Sequence, residues 1–179
     1  MVVKMSEDQD LPKRKNTRLQ QYDYSSPGAY FITFCTHNRK NTLSHIVGAI
    51  HESPEAKLTE YGVLLDNVIN NMPTHLGVMI DQYIIMPNHV HMIVLIADSE
   101  ELRAIRESPL RVRSVLSKTV GYIKMNVSKS IHNLYGEERI WQRGFYDHII
   151  RDRADYEKIV KYIYENPLMW YYDELYAEE

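Results

Sequence analysis

The chain has 179 residues, 44% of them hydrophobic and 25% charged, with a formal net charge of −3; that is room for the core of one domain and little more. A single cysteine, Cys35, excludes an internal disulfide and any cysteine-based zinc finger. No apolar run approaches the roughly 20 residues of a membrane span, and the polar opening segment has no signal-peptide core, so the expectation is a soluble, cytoplasmic protein with no membrane partner.

Residues 1–21 read as a flexible basic arm, polar and aperiodic, with Pro12 and the cations Lys13, Arg14, Lys15 and Arg18. Residues 30–36 alternate and are rich in aromatic and β-branched types, which predicts a strand. Residues 37–58 contain Gly48 and Pro54 and predict a loop or short hairpin. Thr59 is placed to cap a helix carrying Tyr61, Leu64, Leu65 and Val68 at helical spacing, ending by Pro73. Strands over 78–86 and 89–96 follow, joined by the turn residues Pro87 and Asn88. Ser108 and Pro109 supply an N-cap and first-turn proline for a helix through about residue 130, and Tyr135-Gly136 breaks the chain. A strand is predicted over 145–151. A final helix, capped by Asp152, is expected to end at Asn166 because Pro167 disfavours helical geometry in the residue before it. The order βαββαβα with short connections implies the α+β class: a ferredoxin-like (RRM-like) antiparallel sheet with helices packed on it. The domain is expected over 22–170, with an acidic tail at 171–179.

The near-neutral total hides a local asymmetry. Arg103, Arg106, Arg111, Arg113, Lys118, Lys124 and Lys129 stand against a single acidic residue, Glu107, in their stretch. This is either a solvated helix face or a phosphate-binding stripe, and charge alone does not decide.

Met86-Pro87-Asn88-His89-Val90-His91 carries the sharper signal. Side chains alternate along a strand, so His89 and His91 share a face, about 7 Å apart at Cα, within reach of one metal ion. Two histidines on a strand are a weak motif alone and need a third ligand and a reacting group. The final helix offers both. Tyr156, Ile159, Val160 and Ile163 form its apolar stripe, and Tyr162 and Asn166, four apart, stack on one flank. The Asn166 amide oxygen suits a hard cation such as Mg²⁺ or Mn²⁺. The Tyr162 phenol, once ionised, can attack phosphorus; Lys158, one turn back, is placed to assist it.

Taken together, these segments resemble the HUH single-strand transposases that use one catalytic tyrosine, and most closely their REP-associated tyrosine transposase branch. The matching stretches are Tyr22-Asp23-Tyr24 with Pro27-Gly28-Ala29-Tyr30-Phe31, then Met86 to His91, then Trp141-Gln142-Arg143 with Phe145 to Arg151, and last Tyr162-Ile163-Tyr164-Glu165-Asn166-Pro167. The resemblance implies an antiparallel sheet, His89 and His91 as metal ligands, Asn166 as a further ligand and Tyr162 as nucleophile. It implies cleavage and rejoining of single-stranded DNA beside a hairpin, through a 5′-phosphotyrosine intermediate and with a divalent metal. Arg14, Arg18, Lys118, Lys124, Lys129 and Lys158 are the candidate DNA contacts. Related dimers exchange the tyrosine helix between subunits, so a homodimer stays open. Tyr164 falls on the opposite flank from Tyr162, and His148 is expected to be structural. Two other readings remain: a hairpin-binding module without transposition activity, and a metal-dependent phosphohydrolase that uses water.

Overall fold

Tyr30, Phe31, Ile32, Thr33 and Phe34 are all buried along β1 (Gly28–Cys35). Side chains alternate between the two faces of a strand, so a strand buried at five consecutive positions must be covered on both sides. β5 (His89–Ile96) shows the same pattern. The computed structural model describes residues 23–48, 54–98, 114–136 and 139–178, and within them these two strands form the centre of a four-stranded antiparallel sheet.

β4 (Val78–Ile85) and β6 (Tyr146–Ile150) flank them in the spatial order β4-β5-β1-β6. A register slip between Ile80 and Gln82 makes Asp81 a bulge on the edge strand β4. Within the 37–58 segment, β2 (Ser44–Val47) and β3 (Glu55–Leu58) pair antiparallel as a separate two-stranded sheet. With that pair set aside, the chain order of the described elements is β-α-β-β-α-β-α. One strand, β5, is inserted between β1 and β4, which is the split arrangement of the ferredoxin-like class.

On one face, Tyr30, Ile32, Phe34, Val90, Met92 and Val94 pack against α1 (Glu60–Asn70) and α2 (Val115–Tyr135), through Leu65 and Ile69 of the first and Leu116, Val120, Ile123, Val127 and Ile131 of the second. On the other, Phe31 and Ile93 pack against Ile159 and Ile163 of α3 (Arg153–Met169). The second layer puts α3 over the face that also carries His89 and His91.

The helix ends follow from local chemistry. Thr59 Oγ1 accepts from the Gly62 amide at 3.2 Å, and Asp152 Oδ1 accepts from the Asp155 amide at 2.9 Å. Gly62 is demanded by packing, since a Cβ there would lie 2.1 Å from the Leu43 carbonyl oxygen. α2 opens under Ser114, whose hydroxyl accepts from the Ser117 amide; the expected start at Ser108-Pro109 lies outside the described residues. It ends at Gly136, whose φ of 73° suits the left-handed cap.

α3 departs from expectation. It does not stop at Asn166 but runs through Pro167 to Met169 and into a 3-10 turn at Trp170–Tyr172. A proline late in a helix removes one backbone donor, and burial of Pro167 and Trp170 offsets that loss. The extra turn carries the chain back toward the sheet. Residues 173–178, within the 171–179 stretch that the sequence marks as an acidic tail, form a strap: Arg39 donates to the Glu174 carbonyl, Asn88 to that of Leu175 and Asn41 to that of Ala177, at 2.9 to 3.0 Å.

Candidate metal and nucleophile site

His89 and His91 are both buried on the α3 face of β5, with ring centroids 4.5 Å apart. The alternation of the strand places them there. His91 stands opposite Thr33 of β1 and shares a 2.7 Å hydrogen bond through Nδ1, with Phe31 stacked on its ring. His89 Nδ1 is 2.9 Å from Asn88 Oδ1, and Trp170 covers its ring.

α3 brings its flank to this pair. Tyr162 Oη lies 3.2 Å from His91 Nε2 and 3.5 Å from Asp173 Oδ2. Asn166 is buried one turn further on, its amide nitrogen 3.3 Å from Asp173 Oδ2. The ligand atoms of His89, His91 and Asp173 all lie within 4.8 Å of one another. Among the described residues, His89 Nε2 and Asn166 Oδ1 are buried with no hydrogen-bond partner. Two buried lone pairs with nothing to accept from, one on an imidazole and one on an amide, beside the His91 imidazole and the Asp173 carboxylate, make a donor set that could hold a cation.

The electrostatics agree. Burial holds His91 well below the ordinary histidine range, and the adjacent His89 adds to the shift. Burial likewise pulls His89 down to about 4, against the opposing pull of the Asp173 charge and the Asn166 amide. Both rings are thus neutral near pH 7, as metal ligation requires. The Tyr162 phenol is pushed up to about 12, first by burial and then by the Asp173 carboxylate. Left to itself, it stays protonated.

Asp173 is the member of this cluster that sequence reasoning missed. No periodicity links it to Asn166; only the helical turn past Pro167 returns it to the sheet. Asn88 and Thr33, which touch the two imidazoles, carry no sequence signal as site residues either, although Asn88 stands within the Met86–His91 stretch.

The other sequence candidates scatter. Tyr164 is 84% exposed, on the far side of α3 from Tyr162. His148 pairs with Asp155 at 2.9 Å. Lys118 and Lys129 lie on α2 and Lys158 on α3, which cover opposite faces of the sheet. Lys124 has another occupation: its ammonium donates to the carbonyls of Gln142 and Gly144 at 2.9 and 2.6 Å and sits over the Phe34 ring. Burial pulls its pKa down to about 8. Arg14 and Arg18 lie outside the described residues. No described helix is long and apolar enough to cross a membrane.

No family model matches the chain. An uncharacterized protein of Haemophilus influenzae is 32% identical over 176 residues, covering 92% of this chain and 94% of that protein, so the two belong to one family. A putative REP-associated tyrosine transposase of the same organism is 28% identical over 86% of this chain and 77% of its own length. The REP-associated tyrosine transposase of Escherichia coli is 24% identical over 81% and 69%. This chain is REP-associated tyrosine transposase-like. Its fold agrees: a solved REP-associated tyrosine transposase bound to a REP hairpin superposes with a TM-score of 0.59 at 24% identity, over 84% of this chain and 72% of that one. For a transposase-like chain, a tyrosine beside a buried histidine pair is the arrangement whose chemistry has to be explained.

Proposed function

We propose that the chain cleaves and rejoins single-stranded DNA beside a hairpin, with Tyr162 as nucleophile. The observation that carries this reading is the 3.2 Å approach of Tyr162 Oη to His91 Nε2 within the buried cluster.

Tyr162 Oη attacks the scissile phosphorus. The Oη–P bond forms as the phenol proton passes to Asp173 Oδ2, the acceptor it faces; the P–O3′ bond breaks, and the leaving oxygen takes up a proton from water as a free 3′-hydroxyl. The DNA remains attached by a 5′-phosphotyrosine, and attack by a 3′-hydroxyl reverses the step, so the energy of the phosphodiester is conserved. In the arrangement seen here the phenol donates to Asp173 Oδ2 at 3.5 Å and meets His91 Nε2 at 3.2 Å, the direction of that second bond being set by the His91 tautomer. α3 fixes the phenol through Ile159 and Ile163, which anchor the helix on Phe31 and Ile93, and near-attack geometry of this kind is worth several kcal/mol of barrier. His89, His91, Asn166 and Asp173 are the residues that would hold a divalent cation, Mg²⁺ or Mn²⁺. Bound there, it supplies Lewis-acid polarisation of the phosphate and favours the phenolate.

Lys118, Lys129 and Lys158, with Arg14 and Arg18 of the arm, are the proposed phosphate contacts, and hairpin DNA the proposed partner. Lys124 is assigned a structural role instead.

The test is a labelled hairpin oligonucleotide with single-stranded flanks, incubated with Mn²⁺ and run on a denaturing protein gel. A covalent adduct is expected, lost in Tyr162→Phe and in His89→Ala. Cleavage that survives Tyr162→Phe would assign the nucleophile to water. Tight binding with no cleavage would make the chain a binding module.

A further inference from the structure

Asn88 sits in the turn between β4 and β5, fully buried. Its side-chain nitrogen donates to the Leu175 carbonyl at 2.9 Å and the Arg39 carbonyl at 3.3 Å, and its oxygen faces His89 Nδ1 at 2.9 Å. Backbone carbonyls only accept, so the NH₂ must point at them and the oxygen at His89. An amide oxygen also only accepts, so His89 Nδ1 must carry the hydrogen. In a neutral imidazole that leaves the lone pair on Nε2, the buried nitrogen without a partner among the described residues. Thr33 imposes no such choice on His91, because a hydroxyl both donates and accepts.

The same strap that supplies the Leu175 carbonyl carries Asp173, and Asp173 Oδ1 accepts from the Leu175 amide at 2.6 Å. Docking of the strap and orientation of the His89 lone pair therefore meet at one amide group.

We infer that Asn88 is a positioning residue: held by the docked 173–176 strap, it locks His89 in the Nδ1–H tautomer and so presents His89 and Asp173 to a divalent cation as one unit. This rests on the reading of the cluster as a metal site and deepens it.

The tautomer is read in the metal-free full chain by long-range ¹H–¹⁵N correlation on ¹⁵N-histidine-labelled protein at pH 8. A protonated Nδ1 and bare Nε2 are expected for His89; a protonated Nε2 would overturn the inference. Mn²⁺ affinity, measured by electron paramagnetic resonance titration, is expected to fall about 10- to 100-fold in Asn88→Leu, the usual scale for removing an outer partner of a ligand. Asn88→Asp keeps an acceptor for His89 but opposes both carbonyls; it is expected to retain the Nδ1–H signal while the Leu175 amide loses protection from hydrogen exchange. Undiminished protection in Asn88→Asp, or unchanged tautomer and Mn²⁺ affinity in Asn88→Leu, would overturn the inference. If Asn88→Leu does not fold, the wild-type tautomer and Asn88→Asp still decide. Absence of a DNA adduct would refute the nuclease reading alone and leave these readouts intact.

Discussion

Thr33 and His91 face each other across the β1–β5 ladder and share a 2.7 Å hydrogen bond between hydroxyl and Nδ1. The ladder register thus aims an imidazole as well as building a sheet. Thr33→Val keeps the shape and deletes the hydroxyl, leaving a buried ring nitrogen unpaired at a cost of about 1–3 kcal/mol. Urea denaturation should register that loss, with weaker Mn²⁺ binding beside it, and Thr33→Ser should restore both. A Thr33→Val protein as stable as wild type would show the bond to be incidental.

Acid should destabilise the metal-free protein. The unfolded chain protonates His89 near the ordinary histidine value of about 6.5, whereas burial holds the folded ring near 4. Between those values the unfolded state binds more protons, so stability is complete above about pH 6.5 and falls as pH drops toward 4. His91 shifts in the same direction. Urea midpoints at pH 7.5 and pH 5 test this, and a midpoint that rises on acidification would refute the burial argument.

Asp173→Asn should act on two groups at once. Burial is the larger cause of the raised Tyr162 pKa, but the Asp173 charge adds to it, so the phenol should ionise more readily once that charge is gone. The carboxylate is also a member of the His89–His91 cluster, so Mn²⁺ affinity should fall. Tyrosine Cζ chemical shifts followed through a pH titration, together with a Mn²⁺ titration, separate the two effects. A Tyr162 pKa unmoved by the substitution would place the charge elsewhere.

Lys124→Met should lower thermal stability, because the ammonium ties the Gln142 and Gly144 carbonyls to α2. It should leave the salt dependence of DNA binding as in wild type, since only a cation that neutralises a phosphate contributes to that slope, by about one unit each. Lys129→Ala should show the reverse pattern. A reduced slope in Lys124→Met would return this lysine to the DNA surface.

The sheet was legible because its signals are local. The alternation in β1, the Thr59 and Asp152 caps and the His89–His91 spacing each lie within a few residues, and the structure contains the elements they predict. The closeness of Tyr162 to the histidines required only that α3 cover the face they share. Asp173 was not legible. Its position depends on the helix continuing through Pro167, and that depends on burial of Trp170 over His89, a tertiary interaction with no local pattern. The surroundings of Lys124 were not legible for a similar reason: its charge marks it as a surface cation, while the Gln142 and Gly144 carbonyls that its ammonium meets come from a loop beyond the next chain break.

As nucleophile, the Tyr162 oxygen becomes bonded to a DNA phosphorus. Mass spectrometry of the proteolysed adduct, after nuclease trimming to a short oligonucleotide, tests it most directly. Fragmentation of the modified peptide is expected to place the 5′-phosphorylated nucleotide on Tyr162 itself, not on Tyr164 two residues away. DNA cut with no modified peptide, or a nucleotide carried on Tyr164 instead, would contradict it.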